Sequence, residues 1–441
     1  MRDDVRPLVL RGGRVVDPSV GTDAVLDVLL GDGCVLAVGQ GIAVPDDAEV
    51  RDVSGRIVCP GLIDLHVHLR EPGGEHKETI ASGARAAAAG GFTAVCAMPN
   101  TDPPIDDPAA VGFVRAEGLR AAAARVYPVG AISVGQRGER LTEIGEMVDS
   151  GAVAITDDGR PVADSGLMRL ALGYARTFGI PVASHCEDPA LSRGGSMNEG
   201  LVSTRLGLIG IPNAAEDVMI ARDLLIAELT GGRLHVQHVS THYGVHMIRT
   251  AKTRGIRVTA EATPHHFTLT DEAADGYRTD AKVNPPLRSA EDRAAVIEGV
   301  ADGTLDVIAT DHAPHHYDEK EQAFDDAPFG LVGLETAVGL ALTELVGKGV
   351  LDIAGLVERM SCSPARAFQL PGGTLQSGAP ADVSVIDTET AWTVDATRFV
   401  SRSRNTPFQG FRLRGAADLT IVGGRIVFDR ACDPGPCPPP S

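Results

Sequence analysis

The stretch Gly61-Leu62-Ile63-Asp64-Leu65-His66-Val67-His68-Leu69-Arg70-Glu71-Pro72-Gly73 sets the organisation of this 441-residue chain. It begins with apolar residues, which predict a buried strand, and it ends with polar residues before a Pro-Gly turn. Residues two apart along a strand project to the same face, so His66, His68 and Arg70 are predicted to point the same way. Neutral imidazoles on one face can bind a metal ion such as zinc. A single His-x-His pair is a weak signal, so the prediction requires further ligands at other strand ends.

Apolar strand candidates alternate with helical patterns through the middle of the chain. The strand candidates are residues 57–68, 93–98, 126–132, 152–156, 181–185, 234–239, 257–262 and 305–310. Helical patterns rich in Ala, Leu and Glu separate most of them, for example at 79–89 and 213–229. Parallel strands need crossover connections and two covered faces, so eight such repeats predict an α/β fold with a TIM-like (β/α)8 barrel. The alternative, an open doubly wound sheet, requires a Gly-rich phosphate loop after the first strand, and this sequence has none.

The two ends of the chain carry similar short strands with Gly-Gly pairs. LVLRGGRVVD at 8–17 is similar to LTIVGGRIVFD at 419–429, and the second of these predicts a hairpin. We therefore predict a small β-sandwich domain built from residues 1–58 and 373–431, beside a barrel domain of residues 59–372. The Pro-rich residues 432–441 are predicted to form a disordered tail.

Charge and composition exclude several classes of partner. The formal net charge is −19 and the pI is about 5.1, which disfavours nucleic acid and anionic membranes. The N-terminus lacks the apolar core of a signal peptide, and no apolar run reaches the length of a membrane span. The seven cysteines are an odd number without CxxC spacing, which predicts reduced thiols. We therefore expect a cytoplasmic protein that acts on a small molecule.

Polar residues follow most of the strand candidates. In a barrel, the carboxyl ends of all strands meet at one mouth, so residues far apart in sequence lie together. Any one of these residues alone is more often a structural residue, but together they form a complete ligand set. Two metal ions that share a carboxylate are a known arrangement for hydrolysis. The set consists of His66 and His68 after the first strand, Asp157 or Asp158 after the fourth, His185 after the fifth, His238 after the sixth and Asp311 after the eighth.

The chain resembles the type I dihydroorotases, in the cyclic amidohydrolase branch of the amidohydrolase superfamily. The resemblance covers nearly the whole chain and rests on GLIDLHVHLREPG, AMPNT, ITDDG, SHCED, QHVS, VNPPLR, ATDHAPH and PFGLVGLET. It implies two Zn²⁺ ions, with Asp158 rather than Asp157 as the bridge between them. The implied metal ligands are His66, His68, Asp158, His185, His238 and Asp311. The implied substrate contacts are His68, Arg70, Asn100, Asn284 and His315, with backbone contributions from Phe329 and Gly330.

The resemblance also implies an activity, the reversible cyclisation of N-carbamoyl-L-aspartate to L-dihydroorotate in de novo pyrimidine (UMP) biosynthesis. Our mechanistic hypothesis is that a hydroxide bridging two zinc ions attacks a ring amide carbonyl during ring opening. Asp311 would take the hydroxide proton and pass it to the departing ring nitrogen. The acidic segment 315–329 is predicted to act as a lid. A homodimer is expected, and association with an aspartate carbamoyltransferase is a further hypothesis.

Two other interpretations are open. An allantoinase or a hydantoinase/dihydropyrimidinase generally lacks the arginine after the histidine pair and carries a bridging lysine. Arg70, and the absence of lysine between Lys77 and Lys252, disfavour that interpretation. A non-catalytic homologue that binds aspartate carbamoyltransferase would be expected to have lost ligands, whereas all six are present. The histidines interpreted as structural or as support for the ligands are His76, His235, His242, His246, His265, His266, His312 and His316.

Overall fold

The structure is a computed structural model that describes residues 6–432 and residue 435. The strands are β1 (Leu8–Asp17), β2 (Thr22–Gly31), β3 (Cys34–Gly39), β4 (Glu49–Asp52), β5 (Ile57–Pro60), β6 (Leu62–Val67), β7 (Phe92–Ala97), β8 (Arg125–Pro128), β9 (Val182–Ser184), β10 (Met197–Asn198), β11 (Gly210–Ile211), β12 (Leu234–Val236), β13 (Val258–Ala262), β14 (Val307–Ile308), β15 (Val383–Thr393), β16 (Arg412–Val422) and β17 (Arg425–Asp429). The predicted tail, 432–441, lies outside the described residues except for positions 432 and 435.

The α-helices are α1 (Ile80–Ala89), α2 (Pro108–Ala121), α3 (Ile144–Ser150), α4 (Ser165–Phe178), α5 (Leu201–Leu206), α6 (Asn213–Thr230), α7 (His242–Thr253), α8 (Pro264–Thr268), α9 (Ala290–Asp302), α10 (Tyr317–Lys320), α11 (Ala337–Ala341), α12 (Ile353–Val357) and α13 (Ser363–Phe368). Short 3-10 helices lie at Pro18–Val20, Val134–Gln136, Asp271–Ala274, Thr279–Ala281 and Ala396–Arg398, and π-helical turns at Leu342–Val346 and Glu358–Cys362. The predicted helix at 79–89 is present, with the Thr79 side chain accepting the Ser82 N–H as an N-cap. Within residues 6–432, no helix is both long and apolar enough to cross a bilayer.

The central strands pair in a closed circle of eight parallel segments. β6, β7 and β8 form one parallel sheet, and β9, β12, β13 and β14 form another. Parallel bridges connect the two sheets through Gly130 and Ile155, through Ile155 and Val182, and through Val67 and His312. Because every pairing is parallel, the carboxyl ends of all eight segments lie on the same side. Helices α1, α2, α3, α4, α6, α7 and α9 alternate with these segments along the chain.

Two strand predictions were wrong in their details. The predicted strand 57–68 is divided at Gly61, so that β5 pairs with β15 while β6 pairs with β7. A Cβ at Gly61 would lie 2.1 Å from the Thr93 hydroxyl oxygen, so the chain passes its neighbour here at a distance that only glycine allows. The predicted strand 152–156 is reduced to single bridges at Ile155, because it bonds each neighbour over only one residue pair.

The two ends of the chain form one continuous sheet in the order β17-β16-β15-β5-β1-β2-β3, with β4 paired to β1. The predicted hairpin is present as β16 and β17, with Gly423 and Gly424 at positive φ in the turn. Apolar side chains from both ends, including Leu10 and Val385, pack into one core. The strands of the predicted β domain, from both ends of the chain, are therefore connected by hydrogen bonds into one sheet.

Candidate active site

The first group of predicted metal ligands lies at the carboxyl ends of β6, of β14 and of the segment that bridges at Ile155. His66 Nε2 is 3.4 Å from Asp158 Oδ1 and 3.6 Å from Asp311 Oδ1. His68 Nε2 is 3.0 Å from Asp311 Oδ1 and 3.5 Å from Asp158 Oδ2. All four side chains are buried. The nitrogen of each histidine therefore faces two carboxylate oxygens within the reach of one bound cation.

The second group shares Asp158 with the first. His185 Nδ1 lies 2.8 Å from His238 Nε2, and these two nitrogens are 3.7 and 3.8 Å from Asp158 Oδ1. Ligand atoms of His66, His68 and Asp158 lie within 4.8 Å of one another, and so do those of Asp158, His185 and His238. One carboxylate common to two sets of nitrogen ligands is the arrangement expected of two neighbouring metal ions.

The neighbouring carboxylate, Asp157, points away from this cluster. Its oxygens accept the backbone N–H groups of Ile132 and Ser133 at 2.8 and 3.0 Å, together with the Ser133 hydroxyl. Burial raises the pKa of Asp157 to about 6 against these hydrogen bonds. Asp157 therefore fixes the loop after β8, and Asp158 is the residue that faces the histidines.

Glu261 on β13 orients the histidines, and the sequence analysis missed it. Its Oε1 lies 2.6 Å from His66 Nδ1 and accepts the His238 backbone N–H at 3.0 Å, and its Oε2 lies 3.0 Å from His235 Nε2. Because a carboxylate accepts a hydrogen bond from His66 Nδ1, the neutral form of the ring has its lone pair on Nε2. The available signal was a lone glutamate within the apolar strand VTAEA.

Asn100 orients His68 in the way that Glu261 orients His66. The His68 Nδ1 lies 2.8 Å from Asn100 Oδ1, while Asn100 Nδ2 donates to Asp158 Oδ2 at 3.3 Å. His68 therefore also presents Nε2 to the cluster. The Nε2 atom of His66 is fully buried and has no hydrogen-bond partner among the described residues. A buried imidazole nitrogen that has no hydrogen-bond partner and faces carboxylates fits a metal ligand, as does the mixed His and Asp donor set.

The electrostatics of the cluster favour bound cations. Burial by itself would lower the pKa of His66, but the carboxylates of Glu261, Asp158 and Asp311 raise it well above its usual range. Burial would raise the pKa of Asp158, but His66 and His238 hold it well below its usual value. The pKa of Asp311 is likewise lowered by His66 and His68 against the effect of burial. The carboxylates therefore stay ionised and stabilise positive charge at their centre.

A cavity of about 190 Å³ opens onto these ligands. The residues predicted to contact substrate all line it, although they come from five separate parts of the chain. Asn284 Oδ1 is buried and has no hydrogen-bond partner within the described part of the chain. The lining includes His68, Arg70, Asn100, Asn284, His315, Phe329 and Gly330 as well as Asp158, His185, His238 and Asp311.

Arg70 presents its guanidinium to the cavity. Its Nε donates to the Pro314 carbonyl at 3.1 Å, and its Nη2 lies 3.3 Å from His315 Nε2. His315 Nε2 donates to the Phe329 carbonyl at 2.8 Å, so it cannot also accept from Arg70. Burial lowers the pKa of Arg70 to about 10, and burial together with Arg70 lowers that of His315 to about 2. At neutral pH Arg70 is therefore charged and His315 is neutral.

Two buried lysines hold the segment 315–329 against the cavity. Lys282 Nζ donates to the carbonyls of Phe324 and Asp325 at 2.7 and 3.0 Å. Lys320 Nζ donates to those of Pro328 and Gly330 at 2.9 and 3.0 Å. The segment predicted as a lid is thus held through its backbone carbonyls as well as through the acidic side chain of Glu319, which pairs with Lys77.

Some of the remaining histidines support the site. His235 contacts Glu261, and His312 Nδ1 accepts the Gly333 N–H at 3.2 Å with its Nε2 3.5 Å from Glu78. His266 Nε2 donates to the Pro285 carbonyl at 3.0 Å. Neither ring nitrogen of the buried His265 has a hydrogen-bond partner among the described residues. His76, His242, His246 and His316 do not line the catalytic cavity.

Comparison with solved structures places this geometry in a known fold. An L-hydantoinase (dihydropyrimidinase) from Arthrobacter aurescens matches with a TM-score of 0.85 at 28% identity, over 96% of each chain. A dihydropyrimidinase from Brevibacillus agri matches with a TM-score of 0.80 at 23% identity, over 96% of this chain and 95% of that one. These proteins have the TIM-barrel amidohydrolase fold, and the mixed α/β structure described above agrees with it.

Comparison with known sequences is more specific. Residues 55–243 match a family model described as dihydro-orotase-like. The chain is 58% identical to a dihydroorotase of Pelotomaculum thermopropionicum over 421 residues, which cover 96% of this chain and 98% of that protein. It is 53% identical to a dihydroorotase of Geobacter metallireducens over 423 residues, 96% of this chain and all of that protein. The chain therefore belongs to the dihydroorotase family of cyclic amidohydrolases.

Proposed function

We propose that this chain catalyses the reversible cyclisation of N-carbamoyl-L-aspartate to L-dihydroorotate, a step of de novo pyrimidine (UMP) biosynthesis. The observation that carries the proposal is one buried cavity that contains both the His and Asp cluster and the charged Arg70. The cluster fits the hydrolysis or formation of an amide bond, and Arg70 fits a substrate that keeps a carboxylate in both of its forms. The sequence identity to dihydroorotases supports the same substrate pair.

We propose two Zn²⁺ ions as the cofactors. The fit rests on the unpartnered His66 Nε2 and on the two ligand sets that share Asp158. When bound, such ions would supply Lewis acidity and a water of lowered pKa. The proposed ligands are His66, His68, Asp158, His185, His238 and Asp311.

The remaining lining residues would bind and orient the substrate. Arg70 would bind the carboxylate that both forms carry, through two parallel N–H donors. Asn284 Oδ1, which lacks a partner, would accept an N–H of the ureido group or the ring. His315 positions Phe329 through the carbonyl bond at 2.8 Å, and Phe329 and Gly330 close the wall. Asn284 Oδ1 is thus left available by the protein, and the Phe329 wall is held in place by the His315 hydrogen bond.

Asp311 would move the proton. During ring opening its carboxylate would accept a proton from the attacking water and deliver it to the ring nitrogen as the C–N bond breaks. During ring closure the same proton travels in reverse, and water leaves. Because its pKa is lowered by the neighbouring His66 and His68, Asp311 begins ring opening in the basic form.

We also propose how the two domains of the chain are built. The closed circle of parallel segments corresponds to a TIM-like (β/α)8 barrel of residues 59–372, and the terminal sheet to a β-sandwich domain of residues 1–58 and 373–431. The pairing of β5 with β15 supports a boundary at Gly61 between the two proposed domains. We also propose a cytoplasmic location, a homodimer and association with an aspartate carbamoyltransferase.

The experiment is an assay of the purified protein with L-dihydroorotate, hydantoin and allantoin, alongside elemental analysis for metals. We expect turnover of L-dihydroorotate only, about two zinc ions per chain, loss of activity on chelation and recovery on addition of zinc. Turnover of hydantoin in preference to L-dihydroorotate would overturn the substrate assignment. Activity that survives complete metal removal would overturn the metal assignment.

A further inference from the structure

A second cavity lies beside the catalytic cavity and shares part of its wall. Its volume is about 480 Å³, and Arg70 and Asn100 line both cavities. Residues from the segments 73–77, 101–104 and 135–136 form its other walls, together with Arg160. We refer to this cavity as the outer pocket. The chemistry proposed above uses neither its volume nor the residues that belong to it alone.

The outer pocket is positively charged, although the whole chain carries a net charge of −19. Arg70, Lys77 and Arg160 line it, and Asp102 is the single carboxylate among the described lining residues. Lys77 Nζ lies 2.8 Å from Glu319 Oε1. Arg160 is exposed and has no carboxylate oxygen within 4.0 Å in the described part of the chain. Cations in a cleft focus the field between its walls, so this pocket attracts anions.

Gln136 provides an independent sign of a ligand. Its side chain is only 6% exposed, yet its Nε2 has no hydrogen-bond partner among residues 6–432. Buried amide groups are normally paired, because an unpaired N–H loses its hydration without compensation. The Gln136 loop is itself held in place, since Asp106 accepts the Gly135 N–H at 2.7 Å and Asp157 binds the loop's start. An anion in the outer pocket would accept the unused N–H.

We propose that the outer pocket is an anion subsite that, in an initial complex, holds the carboxylate that ring closure will consume, while Arg70 holds the carboxylate that both forms carry. This inference rests on the proposed function, from which it takes the substrate. The open-chain compound carries two carboxylates and the ring carries one, because closure joins one carboxyl carbon to nitrogen, consumes one proton and releases one water. A positive subsite outside the catalytic cavity therefore binds the open-chain form more tightly than the ring form.

Two substitutions remove the proposed contacts without removing a metal ligand. Arg160→Gln removes the unpaired charge, and Gln136→Leu removes the unpartnered amide at nearly constant side-chain volume. Arg140→Gln is the matched control, because Arg140 is exposed, lies close to Gln136 along the chain and does not line the pocket. Thermal melts of all variants establish that the fold is retained.

The readout is the pair of KM values for the metal-loaded enzyme, one for each form of the substrate. We expect Arg160→Gln to raise KM for the open-chain compound about three- to fivefold, as for loss of one exposed ionic contact. The double variant should raise it about tenfold. KM for the ring form should stay within about twofold of the wild-type value. The open-chain compound also inhibits ring opening as a product, and its inhibition constant should rise by the same factor as its KM. The equilibrium constant fixes the ratio of the two kcat/KM values, so KM and the inhibition constant are the informative quantities.

An equal rise of both KM values, a fall in kcat alone, or no difference from Arg140→Gln would overturn the inference. Titration of the metal-loaded protein with succinate, a dicarboxylate, separates this result from a failure of the proposed function. If neither substrate form is turned over but succinate binds in an Arg160-dependent way, the proposed function fails and the anion site stands. If inorganic phosphate inhibits without changing KM, and Arg160→Gln abolishes that inhibition, the pocket is an effector site and the substrate assignment is wrong.

Discussion

Replacement of Glu261 by glutamine tests whether this buried carboxylate orients the metal ligands. Glu261 contacts His66 Nδ1 at 2.6 Å, the His238 backbone N–H at 3.0 Å and His235 Nε2 at 3.0 Å. Glutamine has nearly the same shape but carries no charge, and one of its two oxygens becomes an N–H donor. A donor facing either histidine would leave at least one buried ring nitrogen in the wrong protonation state.

The expected magnitude follows from these contacts. Loss of a carboxylate that holds a metal-bound histidine weakens metal binding or activity by about 10- to 100-fold. That range corresponds to about 1.4–2.7 kcal/mol. We expect Glu261→Gln to bind zinc at least tenfold more weakly, as measured by competition with a chelator of known affinity, and to lose activity in parallel at subsaturating zinc.

A matched control separates this effect from a general effect of losing a buried charge. Glu335 is also buried, but it accepts the backbone N–H groups of Val400 and Ser401 at 2.8 and 3.0 Å, away from the cluster. Glu335→Gln should change the melting temperature while zinc affinity stays at the wild-type value. Zinc affinity within twofold of wild type in Glu261→Gln, with a normal melt, would refute the orienting role.

Three further predictions test the substrate contacts and the fold. Arg70→Lys keeps the charge but loses the paired N–H donors, so KM for both substrate forms should rise about 10- to 100-fold, whereas Arg85→Gln on the exposed face of α1 should leave both values unchanged. Gly330→Ala should reduce kcat/KM at least tenfold, because φ of Gly330 is +131° and the added Cβ would lie 2.7 Å from a neighbouring side chain. Steady-state kinetics at full zinc occupancy would measure this loss of kcat/KM. A variant with wild-type kinetics would contradict the close packing. Burial raises the pKa of Asp387, but hydrogen bonds led by the Thr390 hydroxyl lower it to about 2, below the value of the unfolded chain. The stabilisation of the folded state by ionised Asp387 is therefore present above pH 4 and is lost as pH falls towards 2, and it amounts to at most ~2 kcal/mol. In urea unfolding across this pH range, the free energy of unfolding should fall less for Asp387→Asn than for the wild type. The same pH dependence in both proteins would contradict this prediction.

The cluster of His and Asp side chains at the candidate site was predictable because its signal is local. Alternation along a strand places His66 and His68 on one face, and polar residues at successive strand ends mark one mouth of a circle of parallel strands. The structure brings all of the predicted ligands together there. The Gly-Gly hairpin near the C-terminus was predictable for the same reason, since a two-residue turn at positive φ requires glycine.

The boundary at Gly61 was not predictable from the same patterns. Residues 57–68 were predicted as one strand although Pro60-Gly61 interrupts them, and nothing within this stretch shows that its first half pairs with a strand more than 300 residues later. The division depends on the close approach of Gly61 to Thr93 and on the Gly61 N–H bond to the Asp382 carbonyl at 2.9 Å. Both are contacts between distant parts of the chain.

By itself, the sequence determined which residue types could bind metal and the order of most strands, helices and turns, because these depend on neighbours in the chain. Only the tertiary structure shows that Asp158 faces the histidines and Asp157 faces a loop, since two identical neighbouring side chains differ only in which partners they meet. The same holds for Glu261, which contacts a histidine 195 residues away. Packing and electrostatics between distant segments decided those partners, and no local pattern records them.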